Sequence, residues 1–288
     1  MPAAPPAPPL PPRGTLVVLG GGADDPLLAL LAGLLPHPDA PIEVLTTATR
    51  EQPERTAAAY ARAWASLGCG GVGHLPIDEH HPADLPATLA RLEAATLILL
   101  SGGDQERLTN FLLGTEFLAS LKRRFRQDEG FIIAGTSAGA SALGGPMLVQ
   151  GQGWRSLLGE GIEVVPGLGL LPDVILDQHF AERSRYPRLL HAVLQHPACL
   201  GLGLSEETGL IIRPGRPAEV FGEGVVAAVD ARGLSFTDAD SLPPSRPVSG
   251  HGLRLHLLTA GQTLDLTSRA AGQGAALPPA AARRLRQA

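Results

Sequence analysis

Cysteine is scarce in this chain, which limits the kinds of site that the sequence can contain. The 288 residues include two cysteines, Cys69 and Cys199, which lie far apart and form no C-x-x-C pair. Neither a cysteine-based zinc site nor a disulfide framework is therefore expected. Both thiols are expected to pack as small apolar side chains, and this usage suits a reducing interior such as the cytoplasm.

The sequence also lacks long apolar runs and a strong charge of either sign. The longest apolar stretch, between Pro26 and Pro36, is too short to cross a bilayer. Residues 1–12 are rich in Ala and Pro, without the charged start and unbroken apolar core of a signal peptide. The formal net charge of −5 is mild, which argues against nucleic acid as a partner. We therefore predict a soluble, cytoplasmic protein that binds neither membranes nor nucleic acid.

Short apolar runs alternate with helical segments in the first half of the chain. The apolar runs are 15–19, 42–47, 72–77, 96–100 and 131–134, and the helical segments are 27–35, 52–67, 83–93 and 105–125. Mostly apolar strands with helices between them favour a parallel sheet covered on both faces. Ligands of such sheets bind beyond the carboxyl ends of the strands. The glycine-bearing segments at 20–22, 102–103 and 135–139 are therefore expected to share one rim.

The pattern changes after about residue 146. Strand-like runs at 173–176 and 200–204 flank a helical segment at 182–195, and runs at 210–213, 218–231 and 253–258 resemble antiparallel strands, with a loop at 235–249. We predict one α/β domain over residues 14–267, a three-layer sandwich with a mostly parallel sheet plus C-terminal antiparallel strands. A Pro/Ala-rich arm at 1–13 precedes this domain, and an Ala/Arg-rich tail of helical character follows it at 268–288.

The segment Gly135-Thr136-Ser137-Ala138-Gly139 follows a buried strand and precedes small residues that can begin a helix. A serine at such a turn, with glycines two residues to either side, is typical of a nucleophile elbow. The alternative is an ordinary Gly-rich turn, as many G-x-S-x-G matches are. We predict that Ser137 is a nucleophile and that the amide of Ala138 faces the developing oxyanion.

A second glycine segment, Ser101-Gly102-Gly103-Asp104, closes another strand. Paired glycines leave the backbone open to close approach by a ligand. The amide of Gly103 is therefore predicted to be the second oxyanion donor beside Ala138. A tight turn in which Asp104 caps the next helix is compatible with that role.

A serine hydroxyl needs a base to accept its proton, and His179 is the best placed of the nine histidines. It comes directly after the strand at 173–176, where a loop can meet the rim that carries Ser137. The His80-His81 pair is interpreted as part of a solvated loop, because adjacent side chains diverge and no i,i+4 pair is present. We predict His179 as the base and no metal or other cofactor.

Three arginines, Arg183, Arg185 and Arg188, crowd the start of the helix that follows His179. They are either solvating groups of that helix or part of a binding site. Cations near the positive end of a helix are unfavourable, so an anionic ligand or nearby carboxylates would offset them. The cluster therefore favours a site for substrates that carry carboxylates.

In these segments the chain resembles the cyanophycinase branch of the S51 serine peptidase family. The resemblance rests on Gly-Gly-Asp-Gln at 102–105, Gly-Thr-Ser-Ala-Gly-Ala at 135–140, and Asp-Gln-His-Phe at 177–180 with the arginines behind it; residues 201–208 match a family segment more loosely. Together these anchors cover roughly residues 15 to 230.

The resemblance implies a fold similar to class I glutamine amidotransferases and a homodimer. It implies hydrolysis of cyanophycin, a poly-aspartate whose side chains carry arginine, to β-Asp-Arg dipeptides. Ser137 and His179 would be nucleophile and base. The substrate site would be lined by Gln105, Asp177, Gln178, Arg183, Arg185 and Arg188. Asp177 is expected to face the guanidinium of the substrate.

One departure concerns the residue that orients the histidine. Members of the family carry an acid in the segment after the elbow, whereas residues 147–154 of this chain contain no carboxylate. Gln150 or Gln152 can hold an imidazole but cannot neutralise its cation, and a comparable change in a serine triad costs about 10⁴ in turnover. Either a nearby acid such as Glu160 or Glu163 substitutes, or the protein is a slow or silent relative.

Three alternatives to an active cyanophycinase-like enzyme therefore stay open. The first is a catalytically silent protein that binds such ligands. The second is an aspartyl dipeptidase, which shares the serine elbow and the glycine pair. The third is an α/β-hydrolase esterase, which the G-x-S-x-G segment alone suggests; the late chain offers no Asp…His pair for it.

Overall fold

The computed structural model describes residues 12–274. Its strands are β1 (Thr15–Leu19), β2 (Ile42–Leu45), β3 (Val72–Leu75), β4 (Leu97–Leu100), β5 (Ile132–Thr136), β6 (Pro146–Gln150), β7 (Glu163–Pro166), β8 (Val174–Asp177), β9 (Leu200–Leu204), β10 (Thr208–Ile212), β11 (Ala218–Gly222), β12 (Val226–Asp230), β13 (Phe236–Thr237), β14 (Gly250–His251), β15 (Arg254–Leu258), β16 (Gln262–Leu264) and β17 (Ala271–Gln273). Its α-helices are α1 (Asp25–Leu34), α2 (Pro53–Ser66), α3 (Pro86–Ala94), α4 (Gln105–Leu112), α5 (Glu116–Gln127), α6 (Ala138–Ala142) and α7 (Tyr186–Gln195), and short 3₁₀ helices span Gly153–Leu157 and Ala239–Ser241.

The main sheet has nine strands in the order β17-β16-β11-β10-β1-β5-β4-β2-β3. Its half from β1 to β3 is parallel, and the strands from β10 outward are antiparallel. Alternate residues of β1 enter different apolar layers: Leu16 and Val18 pack on one face, Val17 and Leu19 on the other. A strand buried on both faces is what a largely apolar run predicts. The predicted α/β fold is confirmed.

A second sheet, ordered β15-β12-β9-β8, carries the segment that ends at His179. Within it β8 and β9 run parallel, with Asp177 opposite Gly203. The carboxyl ends of β8 and β9 therefore lie side by side, and the residues that follow each strand emerge at the same edge.

The structure departs from the sequence-based prediction in two places. The helix predicted over 105–125 divides into α4 and α5, because Gly114 adopts φ +79 and Thr115 caps α5 by accepting from the amide of Leu118. The predicted helical tail is wrong for Ala271–Gln273, which pairs with β16 as a strand. Most of the predicted arm and the remainder of the predicted tail lie outside the described residues.

None of the helices between residues 12 and 274 is long and apolar enough to cross a bilayer.

Candidate active site

The three glycine-bearing segments meet at the carboxyl ends of β1, β4 and β5. A Cβ atom added to Gly102 would lie 3.5 Å from Cβ of Ser137, and one added to Gly21 would lie 2.4 Å from Cε1 of His179. The amide of His179 also donates to the carbonyl oxygen of Gly20 at 2.8 Å. The shared rim that the sequence predicts is therefore formed around Ser137 and His179.

Ser137 occupies a strained turn between β5 and α6. Its φ is +50° and its ψ is −113°, a conformation that costs energy for any residue with a Cβ. Close packing holds the turn: a Cβ added to Gly139 would lie 2.2 Å from the carbonyl oxygen of Leu100, and one added to Gly135 would lie 2.6 Å from that of Gly139. Glycine is therefore required at positions 135 and 139, because a Cβ atom at either position would clash with backbone atoms. The absence of side chains there lets α6 pack closely against the sheet directly after Ser137.

The side chains of Ser137 and His179 are in contact. Ser137 Oγ lies 2.9 Å from His179 Nε2, a distance suited to transfer of the hydroxyl proton to the imidazole. His179 has φ +45 and its imidazole lies against the backbone of Gly21, so only glycine fits there. The backbone of Gly21 therefore limits movement of the imidazole ring. The ring is also largely shielded from water, since 13% of the His179 side chain is exposed.

The imidazole has a carboxylate partner that the sequence-based analysis missed. His179 Nδ1 lies 2.5 Å from Glu206 Oε1. Glu206 follows β9, directly beside the end of β8, and its own amide donates to Oε2 of Glu182 at 3.1 Å. A negative charge at Nδ1 keeps the proton on that nitrogen, which leaves Nε2 free to accept from Ser137.

The glutamines predicted to orient the histidine lie elsewhere. Gln150 donates to Oε2 of Glu163 at 2.6 Å across the β6–β7 hairpin, and Gln152 is exposed in the following loop. Within residues 12–274 neither glutamine contacts His179 by a hydrogen bond. The expectation that this segment supplies the third residue is therefore corrected, and Glu160 and Glu163 do not take that place either.

The second glycine turn lies against Ser137, as its predicted role requires. Gly103 has φ +138, and a Cβ there would lie 2.2 Å from the carbonyl oxygen of Ala48, so only glycine fits. Asp104 caps α4 by accepting from the amide of Glu106 at 3.0 Å. The amide of Ala138 begins α6 directly after Ser137. The backbone of this turn and of the first residue of α6 thus border the Ser137 hydroxyl.

Asp177 does not face the solvent or a ligand. Its carboxylate is fully buried and is bound by both nitrogens of Arg188 on one side, with Nε to Oδ2 at 2.7 Å, and by Arg185 Nη1 at 3.3 Å. The expectation that Asp177 meets the guanidinium of a substrate is therefore wrong, because its carboxylate is not exposed and is already paired with two arginines. Its place in the site is to hold the arginines.

Of the predicted arginine cluster, two members are internally paired and one is exposed. Arg185 also donates to the carbonyl oxygen of Gln178 at 2.7 Å. Burial lowers the pKa of Arg185 to about 10, against the opposing attraction of Asp177. Arg183 is exposed and forms no ion pair within the described part of the chain. Arg183 is therefore the member of this cluster whose charge is not balanced by an ion pair within the described residues.

A groove with a volume of about 1020 Å³ opens next to these residues. Its lining includes Gln150, Trp154, Glu160, Glu163, Arg185 and Arg188. Neither Ser137 nor His179 belongs to this lining. Gln178 contacts both regions: its Oε1 is 3.5 Å from Ser137 Oγ and its carbonyl oxygen accepts from Arg185 of the lining. Gln105 donates to the carbonyl oxygen of Leu148, the residue before Val149 of the lining. The lining carries both carboxylates and guanidinium groups.

The pair His80-His81 lies in a loop, where Asp78 accepts from the amide of His80 at 2.8 Å and contacts Nδ1 of His81 at 2.8 Å. Among residues 12–274, no cluster of three or more His, Cys, Asp or Glu side chains is arranged to hold a metal ion.

Comparison with known proteins shows which proteins this chain is similar to. The chain is 34% identical over 269 residues to a cyanophycinase of Synechococcus elongatus, covering 92% of this chain and 83% of that protein. It is 34% identical over 260 residues to a cyanophycinase of Trichormus variabilis, covering 88% and 87%. The crystal structure of a peptidase from an acI-B1 actinobacterium superimposes with a TM-score of 0.63 at 21% identity, covering 89% of this chain and 98% of that one; this likeness shows the fold.

The family model that matches the chain is described as peptidase family S51, and it spans residues 16–219. That range contains the elbow, the histidine loop, the arginines and the turn after β9. The chain belongs to peptidase family S51.

Proposed function

We propose that this protein is a serine peptidase that hydrolyses cyanophycin or related β-aspartyl-arginine material. The observation that carries the proposal is the continuous array Ser137–His179–Glu206, with 2.9 Å between Oγ and Nε2 and 2.5 Å between Nδ1 and Oε1. In this arrangement the serine is the nucleophile, the histidine is the base, and the glutamate orients the ring and stabilises its cation.

The reaction follows from the positions of these groups. Ser137 Oγ attacks the scissile carbonyl carbon while His179 Nε2 accepts its proton. The amides of Gly103 and Ala138 stabilise the oxyanion. The imidazolium then protonates the leaving amine, which breaks the amide bond and leaves an acyl group on the serine. Water deprotonated by the same histidine releases that acyl group and restores the hydroxyl.

The substrate class is proposed from the charges of the site together with the activity named for the relatives. Each repeating unit of cyanophycin presents the α-carboxylate and the guanidinium of its arginine, because both carboxyl groups of its aspartate are in amide bonds. Arg183 offers an unpaired cation, and Glu160 and Glu163 in the groove offer acceptors for a guanidinium. Gln178 borders the serine and offers a hydrogen bond to the polar backbone of the substrate. Gln105 is assigned to the substrate site from the family resemblance. Release of β-Asp-Arg dipeptides is the expected outcome.

Incubation of purified protein with cyanophycin tests the proposal directly. We expect β-Asp-Arg dipeptides in the supernatant, detected by mass spectrometry, with release abolished in the Ser137→Ala variant. No release by the wild-type protein, or equal release by the variant, would contradict the proposal.

The same assay separates this function from its nearest alternatives. An aspartyl dipeptidase would cleave small dipeptides with an N-terminal Asp and leave the polymer intact. The case for a silent protein rested on a missing acid, and Glu206 provides a carboxylate at the imidazole. The cytoplasmic location and the homodimer remain proposals, for which fractionation of cells and sedimentation of the purified protein are the tests.

A further inference from the structure

A second carboxylate, Asp24, lies behind the catalytic array. It stands at the end of the loop after β1, directly before α1, but its side chain does not cap that helix. Instead Oδ1 accepts from the hydroxyl of Thr136 at 2.6 Å, and Oδ2 accepts from the hydroxyl of Tyr60 at 2.5 Å. One carboxylate therefore connects the loop after β1, the last residue of β5 and the middle of α2.

The position of Thr136 makes this connection relevant to the serine. Thr136 directly precedes Ser137, whose φ is +50°, and a strained residue persists only where its surroundings over-determine its conformation. The amide of Ser137 is already held by the carbonyl oxygen of Leu19 at 3.0 Å. The Asp24 carboxylate fixes the preceding side chain from the opposite direction.

Asp24 is half-buried. Burial raises the pKa of Asp24, while hydrogen bonds from Thr136 and Tyr60 lower it in part. Burial and the neighbouring Asp24 raise the pKa of Tyr60 far above its usual value, so the phenol remains a donor. Removal of a carboxylate from water is costly unless it is paired, and the two hydroxyl groups supply that pairing.

We propose that Asp24 is a positioning residue that fixes the nucleophile turn through Thr136. This inference rests on the proposed function. Glu206 contacts the imidazole directly, whereas Asp24 holds the residue that precedes Ser137. Asp25, the first residue of α1, adds negative charge beside Asp24.

Two variants test the hydrogen bond between Asp24 and Thr136. Asp24→Ala removes the oxygen that accepts from Thr136. Asp24→Asn is the conservative control, since its oxygen can accept from Thr136 and its nitrogen can donate to Tyr60. Thermal unfolding of both variants establishes that they fold.

For Asp24→Ala we expect kcat to fall by at least about ten-fold, because a small misplacement of a catalytic group is costly, with KM within about two-fold of wild type. Asp24→Asn should keep kcat within about three-fold of wild type, because it retains an acceptor for Thr136.

Unchanged kcat in a folded Asp24→Ala variant would overturn the inference, as would equal losses of kcat in Asp24→Ala and Asp24→Asn. The rate at which a fluorophosphonate labels Ser137 gives a second readout that does not depend on the substrate. If the wild-type protein is labelled but does not hydrolyse cyanophycin, the proposed substrate fails and the labelling rates still decide the role of Asp24. Absence of both labelling and hydrolysis would overturn both.

Discussion

Replacement of Glu206 by glutamine tests the residue that completes the catalytic array. The substitution keeps an oxygen within reach of His179 Nδ1 but removes the charge that stabilises the imidazolium. A comparable change in a serine triad costs about 10⁴ in turnover. Glu206 is 38% exposed, so water screens part of its charge and the loss should be smaller. We expect kcat to fall by about 10³, equivalent to ~4 kcal/mol of transition-state stabilisation.

Release of β-Asp-Arg dipeptides from cyanophycin under saturating substrate measures this effect. KM should change by less than about three-fold, because Glu206 acts through the histidine and not on the substrate. The matched control is Glu207→Gln, which removes the same charge from the next residue, where the side chain lies beside Gly22. Turnover within about three-fold of wild type in Glu206→Gln, or an equal loss in Glu207→Gln, would refute the role assigned to Glu206.

Three further substitutions test the surrounding structure. Asp177→Asn leaves two arginines beside a neutral buried group, so we expect a loss of about 3–5 kcal/mol in the free energy of unfolding, measured with urea; a loss below about 1 kcal/mol would contradict this. Gln150→Glu brings a second carboxylate to Glu163 and supplies nothing to the imidazole, so activity should not rise; a clear gain in turnover would contradict the site geometry. Gly21→Ala places a Cβ 2.4 Å from the ring of His179, so we expect at least about a 10²-fold loss of kcat; near wild-type kcat would show that the ring has room to move.

The proximity of Ser137 and His179 was predictable because the signals that place each residue are local. Ser137 lies between a buried strand and a run of small residues, and His179 directly follows a strand. Each residue lies directly beyond the end of a strand, so the predicted strand ends are sufficient to place both side chains at the same edge of the fold. The α/β fold was predictable for the same reason, since the apolar runs of β1, β2, β4 and β5 and their intervening helices are regular.

Glu206 was not predicted because its signal depends on strand pairing. Glu206 reaches His179 because β8 and β9 run parallel with Asp177 opposite Gly203. The sequence pattern within either strand does not predict this register. The strand at Ala271–Gln273 was missed for a related reason. An Ala-rich segment has helical propensity, but pairing with β16 overrides that propensity.

The role of Asp177 shows a second limit of sequence reasoning. An aspartate next to three arginines can bind a ligand or neutralise its neighbours, and residue types alone do not distinguish these cases. The bidentate contact between Arg188 and Asp177 shows that this aspartate neutralises its neighbouring arginines. By contrast, the break between α4 and α5 could have been predicted from Gly114-Thr115. A glycine often ends a helix, and a threonine often caps the start of the next one.

The measurement that tests the central claim most directly is labelling of the intact protein by a fluorophosphonate, with the modified residue identified by peptide mass spectrometry. We expect one adduct per chain, on Ser137, and labelling slowed by at least about 10²-fold in His179→Ala. Labelling at another residue, or equally fast labelling without the imidazole, would contradict the account.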